Sequence, residues 1–454
     1  MRYFIKQAPR CGTLKSLAVG GTLLCCALAA SAMDLLQAYT AAQINDATIL
    51  AARATAVGER ERLPQARAQL LPSLSASLSR NSNHLESTSP NFLGVEQTTN
   101  NSYPSNNRTL TLRQPLFRKQ LAAQYRLAGA QVEDAEAVLS GEEQNLAVRV
   151  STAYFEAMLT HDQLALVLAQ QKAYTEQLDA ARKTYAAGSG TRTDVDEAQA
   201  RLDMNKALEI ETRQNVDYTL QQLQTLVNQP IDKLATLNLA RLELREPQPD
   251  NLQHWIALAE QNNPQLQSLK ARVEVARQET EKARSGHYPT LDAIAQYTDS
   301  DSENVTNIKQ RYVNKVLGMQ LNVPLFAGGY VNSQVRQTLA GLDRAEQILE
   351  AGRRDLGLRV TKEFRGMTEN IPKIKALEQA LLSADQMVLS SQKSFQAGSR
   401  TLLDISDAEQ QRMVVQRDLA QSRYMYLISK IGLLALVSGA DEAAIVDTNR
   451  VLLH

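Results

Sequence analysis

The strongest constraint on this chain is that most of it is written twice. The segment 185–198, YAAGSGTRTDVDEA, returns as 395–408, FQAGSRTLLDISDA, at an offset of 210. Arg149, Val150 and Tyr154 match Arg359, Val360 and Phe364 at the same offset, and Pro115-Leu116-Phe117 matches Pro324-Leu325-Phe326 at 209. Farther upstream the offset is 217, pairing Asn45 with Asn262, Ala54 with Ala271 and Pro72 with Pro289. Five ordered matches with one change of register define a tandem duplication, and any fold must accommodate two similar halves.

Each half follows one grammar. A helical run (about 34–68, then 252–285) ends near a proline and is followed by an alternating stretch, a polar loop, a second alternating stretch and a Pro-Leu-Phe corner. Leu74, Ala76 and Leu78 interleave with serines, and Leu317, Met319, Leu321 and Val323 with Gly318, Gln320 and Asn322. Such period-2 patterning suits strands between lipid and a wet lumen. The spacing predicts strands over about 72–82, 108–116, 289–298 and 312–324, with exposed loops over 81–107 and 298–310. Pro115 and Pro324 mark strand-to-helix corners, and Gly328-Gly329 reads as a swivel into the second long helix. Four strands cannot close a barrel. An open edge in hydrocarbon strands its backbone polar groups, so membrane insertion would require several chains, and three would supply twelve strands.

Long helices follow each corner, over about 118–187 and 329–397, then tip turns at 188–193 and 398–401 and return helices over 194–227 and 402–436. In the first long helix Leu139, Leu146, Ala153, Val167, Tyr174 and Ala181 share one heptad register, and Val150, Ala157, Leu164, Leu178 and Tyr185 its companion. Glu143, Thr160 and Gln171 interrupt it. The seam predicts close helix-on-helix packing in coiled-coil geometry. Pro372 should kink or interrupt the second long helix. The expected class is therefore mainly α with a small β part: long coiled-coil helices plus a β-barrel completed by oligomerisation.

The N-terminus addresses the compartment. Arg2, Lys6, Arg10 and Lys15 precede an apolar run from Leu17 to Ala30, and Ala30-Ser31-Ala32 fits signal cleavage after Ala32. Residues 1–32 then form a signal peptide, 33–245 the first repeat and 246–454 the second. All three cysteines (Cys11, Cys25, Cys26) fall within the signal, so the mature chain has no disulfide or thiolate chemistry. Leu24 before Cys25 argues against a lipid anchor. The four basic signal residues leave 45 basic against 49 acidic side chains, a balance that suggests no nucleic-acid partner. The five histidines lack metal-ligand spacing, and neither G-x-S-x-G nor a Walker A sequence occurs. No enzyme, cofactor or metal site is expected.

The repeat, the paired strands, the Pro-Leu-Phe exits and the Gly-Ser-Arg-Thr turn followed by Asp404-Ile-Ser-Asp407 resemble the TolC family of outer-membrane efflux and secretion proteins, over nearly all of 34–440. The resemblance implies a homotrimer embedded in outer-membrane lipid, in which trimerisation completes a twelve-stranded β-barrel and a long coiled-coil barrel, the twelve-helix periplasmic tunnel. Residues 228–251 and 437–454 would form its collar. The sequence is most similar to the type I secretion branch, which implies a membrane-fusion adaptor and an inner-membrane ABC exporter as partners. Service in a multidrug efflux pump, or a periplasmic coiled-coil scaffold that never inserts, are the alternatives.

Candidate function lies in the tip turns. Thr191 with Asp194 and Thr401 with Asp404 are spaced as capping boxes. Asp407 lies one turn beyond Asp404, so both carboxylates share a helix face. The resemblance implies that Asp404 and Asp407 line the entrance constriction as a cation-binding ring, six carboxylates in a trimer. It also implies that Arg400 latches across protomers to Thr193 and Asp194. Phe395 stands where the family often has a tyrosine, which removes one latch hydrogen bond.

Overall fold

The computed structural model describes residues 32–303 and 309–453. The basic and apolar residues of the expected signal lie outside the described residues, and Ala32 is the first of these.

The first half opens with three short helices, α1 (Leu35–Asn45), α2 (Ala47–Arg60) and α3 (Arg62–Ala68). Aspartates punctuate them. Asp34 forms a capping box with Gln37, and Asp46 accepts the Ile49 amide at the start of α2. A hairpin follows, β1 (Ser73–Pro90) and β2 (Glu96–Phe117), then α4 (Lys119–Ala186) and α5 (Arg192–Val227). A connecting segment carries the short β3 (Thr236–Leu237). The second half supplies α6 (Leu252–Asn262), α7 (Pro264–Arg284), β4 (Thr290–Glu303), β5 (Lys309–Asn322), α8 (Tyr330–Thr368), α9 (Asn370–Gln396) and α10 (Leu402–Leu436). The chain closes with α11 (Glu442–Asn449) and β6 (Leu452–Leu453), which pairs with β3.

The two hairpins form one antiparallel sheet in the order β1-β2-β4-β5, with β1 and β5 on its open edges. In register, Leu74, Leu112, Ala295 and Leu317 fall in one row across it. Leu317 is 87% and Leu78 77% exposed, so the sheet presents an apolar outer face. The opposite face carries Ser75, Ser77, Thr109 and Thr111 on the first hairpin.

The strands run farther than the alternation predicts. The first hairpin pairs from Ser73–Arg113 to Pro90–Glu96, so most of the expected loop over 81–107 is strand and the turn occupies only 91–95. Asn, Ser and Thr dominate this extension. Its backbone ladder needs no apolar face once it leaves lipid, so no alternation marks it. β4 likewise continues to Glu303, and β5 ends at Asn322, two residues before Pro324.

At 68 residues, α4 spans about 100 Å at ~1.5 Å per residue. Its seam residues Leu146, Val150, Ala153, Ala157, Val167, Tyr174, Leu178 and Ala181 are buried, but Tyr185 lies exposed beyond it. Two polar interruptions are paired to α5, Thr160 with Thr219 at 2.8 Å and Gln171 with Glu209 at 2.6 Å. The second long helix is not continuous over 329–397. It breaks at Glu369 between α8 and α9, placing Pro372 in the first turn of α9, where its missing N–H costs little.

The principal core sits at the waist, where α1, α4, α8, α9, α10 and the β3–β6 pair converge. Tyr154, Phe155, Leu427, Ile431 and Leu433 are fully buried there. The Tyr154 hydroxyl donates to the carbonyls of Met33 and Ala235, tying the first described residues to the connecting segment.

Candidate functional site

The two tip turns lie at the end farthest from the sheet and use the same local chemistry. Gly188 and Gly398 take φ of 75° and 73°, the left-handed conformation that ends a helix without a Cβ penalty. Ser189 N–H bonds to the Thr184 carbonyl at 3.1 Å, and Ser399 N–H to Ser394 at 2.9 Å. The returning helices start on true capping boxes. Asp194 accepts from the Thr191 N–H at 3.0 Å, and Asp404 from the Thr401 N–H at 2.8 Å and its hydroxyl at 2.9 Å. The Thr401 backbone and hydroxyl donors, with the Arg400 charge, hold the Asp404 carboxyl below its ordinary pKa.

The turns are not identical. Gly190 approaches Thr184 and Tyr185 so closely that a Cβ would meet the Thr184 hydroxyl at 2.7 Å. The second turn has Arg400 at that repeat position, and its Nη1 donates to the buried Ser391 hydroxyl at 3.0 Å. Arg400 is therefore anchored to its own hairpin within the protomer. Thr193 is exposed in the first turn of α5, and Phe395 is half-buried near the end of α9.

The structure brings α5 and α10 together. Asp194, Glu197 and Arg201 face Leu402, Leu403 and Ser406 across one small crevice. Asp404 and Asp407 are on the same face, but their surroundings differ. Asp404 is engaged by its own cap. Asp407 is exposed and bridged by Arg201 Nη2 at 2.8 Å, which also lies 3.4 Å from Glu197. Burial opposes the Arg201 charge, yet Asp407 and Glu197 outweigh it and hold its pKa above the ordinary arginine value. Sequence reasoning missed Arg201. It sits 206 residues from Asp407, and its repeat counterpart is the neutral Gln411, so neither spacing nor duplication marks it.

Behind these residues runs a polar seam. Gln177 of α4 accepts from the Ser406 hydroxyl at 2.6 Å and donates to Glu409 at 2.6 Å. Burial raises the Glu409 pKa, against the opposing effects of Gln177 and Arg412. Asn205 of α5 donates to Gln170 at 3.0 Å. The apolar cluster here comprises only Tyr174, Leu178, Ala181, Ala198 and Leu202, flanked by Val195 and Leu402.

At the opposite end, the two strand-to-helix corners also differ. After Pro115 the register shifts, and Arg118 opens α4. Arg113 and Arg118 both bind the buried Asp292 of β4, Arg118 Nε at 2.8 Å and Arg113 Nε at 3.1 Å. This cluster joins the two halves. The second corner lacks it. There Gly328 and Gly329 take φ of 58° and 85°, and Leu325 and Phe326 beside Pro324 stand exposed. Among the described residues no group of three or more His, Cys, Asp or Glu could hold a metal ion, and no helix is long and apolar enough to cross a membrane.

An apolar-faced sheet continuous with long helices, α4 alone spanning ~100 Å, that end in carboxylate-bearing turns defines a duct-forming outer-membrane protein. The profile of the family described as Outer membrane efflux protein matches residues 38–229 and 255–439, and the chain belongs to that family. The proteases secretion protein PrtF of Dickeya chrysanthemi is 32% identical over 400 residues, covering 88% of this chain and 86% of the relative. The alkaline protease secretion protein AprF of Pseudomonas aeruginosa is 34% identical over 416 residues, covering 91% and 86%. The outer membrane protein TolC of Escherichia coli is 28% identical over 447 residues, covering 93% and 85%. The solved outer-membrane channel OprN superposes with a TM-score of 0.77 at 16% identity, covering 90% of each chain. VceC from Vibrio cholerae gives 0.75 at 19%, covering 90% of this chain and 97% of VceC.

Proposed function

We propose that three copies of this chain form the outer-membrane duct of a type I secretion system and pass protein cargo from an inner-membrane ABC exporter and its membrane-fusion adaptor. The observation that carries this is the four-stranded apolar-faced sheet, open at β1 and β5, that continues directly into the long helices. Unpaired edges are untenable in hydrocarbon, and pairing β5 of one copy with β1 of the next removes them. The similarity to protease secretion proteins over about nine-tenths of the chain supports protein cargo. Signal cleavage after Ala32 would deliver the mature chain to the periplasm.

Cargo enters at the tip. In a trimer, Asp404 and Asp407 form the carboxylate ring of the constriction, and Arg201 offsets part of its charge. Arg400 leaves Ser391 to latch the neighbouring Thr193–Asp194 corner, without help from Phe395, which has no hydroxyl. Exposed ion pairs contribute only about 0–1 kcal/mol each, so docking of an adaptor suffices to open such a gate.

The test is deletion of this protein followed by mass spectrometry of the culture medium and drug-susceptibility measurement. The expected result is loss of a secreted protein with unchanged susceptibility. Unchanged secretion with drug sensitivity would replace the secretion reading with a multidrug efflux duct.

A further inference from the structure

The outer face of the sheet changes character toward the hairpin turns, the end farthest from the helices. Above the row of Leu74, Leu112, Ala295 and Leu317 comes one of Ala76, Leu110, Tyr297 and Lys315. The next holds Leu78, Arg108, Asp299 and Val313, and the one beyond it Arg80, Asn106, Asp301 and Arg311. Four exposed cations thus enter within three successive rows, about 13 Å along the strands at ~3.3 Å per residue. The lumen-facing positions at the same heights are neutral: Ser77, Ser79, Thr109, Asn107, Thr298, Ser300, Asn314 and Tyr312. A charge serving the passage of ions would lie on that inner face. This charge points outward.

The cations are also organised. Asp299 is only 9% exposed and takes the Arg311 fork on both oxygens, Nε at 2.9 Å and Nη2 at 2.8 Å. Arg108 Nη1 lies 3.9 Å from the same carboxylate. Both arginine side chains still expose about two-thirds of their surface, 64% and 69%. Asp299 therefore fixes the Arg311 guanidinium plane and holds the Arg108 charge nearby, while leaving other N–H donors facing out. With Asp301 it offsets two of the four cations, so Arg80 and Lys315 add positive charge that ion pairing on this face does not require.

We propose that Arg80, Arg108, Arg311 and Lys315 bind the phosphate groups of lipid headgroups in the outer leaflet of the outer membrane. The inference rests on the duct reading, which puts the helices in the periplasm and the hairpin turns outside. Guanidinium forks match phosphate geometry, and cationic clusters at headgroup height are the chemistry that recognises anionic lipid. The height fits as well. The cost of a lipid-facing charge falls toward the interface, where these rows follow an apolar band that begins at Leu291 and Leu321.

The test uses purified trimers in nanodiscs of phosphatidylethanolamine with added bisphosphorylated, acylated glucosamine disaccharide, with bound lipid counted by native mass spectrometry. Arg80→Gln with Lys315→Gln leaves the Asp299 clamp intact and should lower retention about thirtyfold, the scale expected when two cations leave a membrane surface. The dephosphorylated glycolipid should bind the wild-type trimer no better than the phosphorylated form binds the variant. Equal retention by wild type and variant in heat-resistant trimers overturns the lipid site alone. Displacement of the lipid by inorganic phosphate at equal concentration overturns it too, in favour of a free-anion site. Absence of heat-resistant trimers from wild-type preparations overturns the duct reading and this site together.

Discussion

The waist and the tip are built from the same helices on opposite terms. At the waist, α4 and α10 bury large side chains against one another and against α1, with Tyr154, Phe155, Leu427 and Ile431 fully enclosed. At the tip, α4, α5 and α10 meet through a small apolar cluster and a polar seam, with Gln177, Ser406 and Glu409 in one network and Arg201 holding Asp407 in another. The difference identifies which end can move. Burial of apolar surface sets local stability, and moving elements are drawn from its low end. In the proposed duct the waist would be the anchor and the tip the end that opens.

Phe155→Ala attacks the waist and should have the largest effect. Truncating a fully buried aromatic costs about 3–5 kcal/mol, so the variant should lose heat-resistant trimers and unfold at lower temperature by circular dichroism. Unfolding at the wild-type temperature would dissolve the contrast. Asp404→Ala with Asp407→Ala should leave the unfolding temperature close to wild type. It should sharply reduce cation preference and block by multivalent cations, both measured by reversal potential and current in a planar bilayer. Arg201→Gln should do the reverse. It unmasks Asp407 and raises cation preference while changing overall stability by at most about 1 kcal/mol.

The smallest effect concerns pH. Glu409 has its folded pKa raised above the ordinary 4.5 by burial. Its contribution to stability is therefore present below the unfolded value and lost as pH rises through the folded one. Asp404 has the opposite sign, since its depressed folded pKa gives stability above the unfolded value that is lost in strong acid. Glu409→Gln keeps an acceptor for Gln177 and removes the half-buried charge. Its tip should resist proteolysis better than wild type at pH 7 and equally at pH 4. Equal digestion at pH 7 would show that the Glu409 charge does not weaken the tip.

The duplication, the corners and the turn chemistry were legible because each rests on local residues: prolines that donate no ladder hydrogen bond, glycines that accept positive φ, and threonine–aspartate caps. The membrane strands were legible only where lipid demands alternation. Beyond Leu78 and Leu110 the hairpin is held by its backbone ladder, so its extension to Pro90 and Glu96 left no periodic trace. The break at Glu369 was signalled by Pro372, though three residues downstream. The tip was half legible. Asp194, Asp404 and Asp407 follow from the repeated turn. Their partners do not, because Arg201 reaches Asp407, and Gln177 reaches Ser406, only after the two halves of the chain have folded against each other. The clamp of Arg113 and Arg118 on Asp292 was illegible for the same reason.

A gate at the tip is tested most directly by the single-channel conductance of the reconstituted Arg201→Gln, Arg400→Ser double variant. Both substitutions remove tip contacts and leave the waist untouched. Heat-resistant trimers of wild-type stability with a clearly larger conductance are the expected result. Intact trimers with wild-type conductance would contradict a gate at the tip.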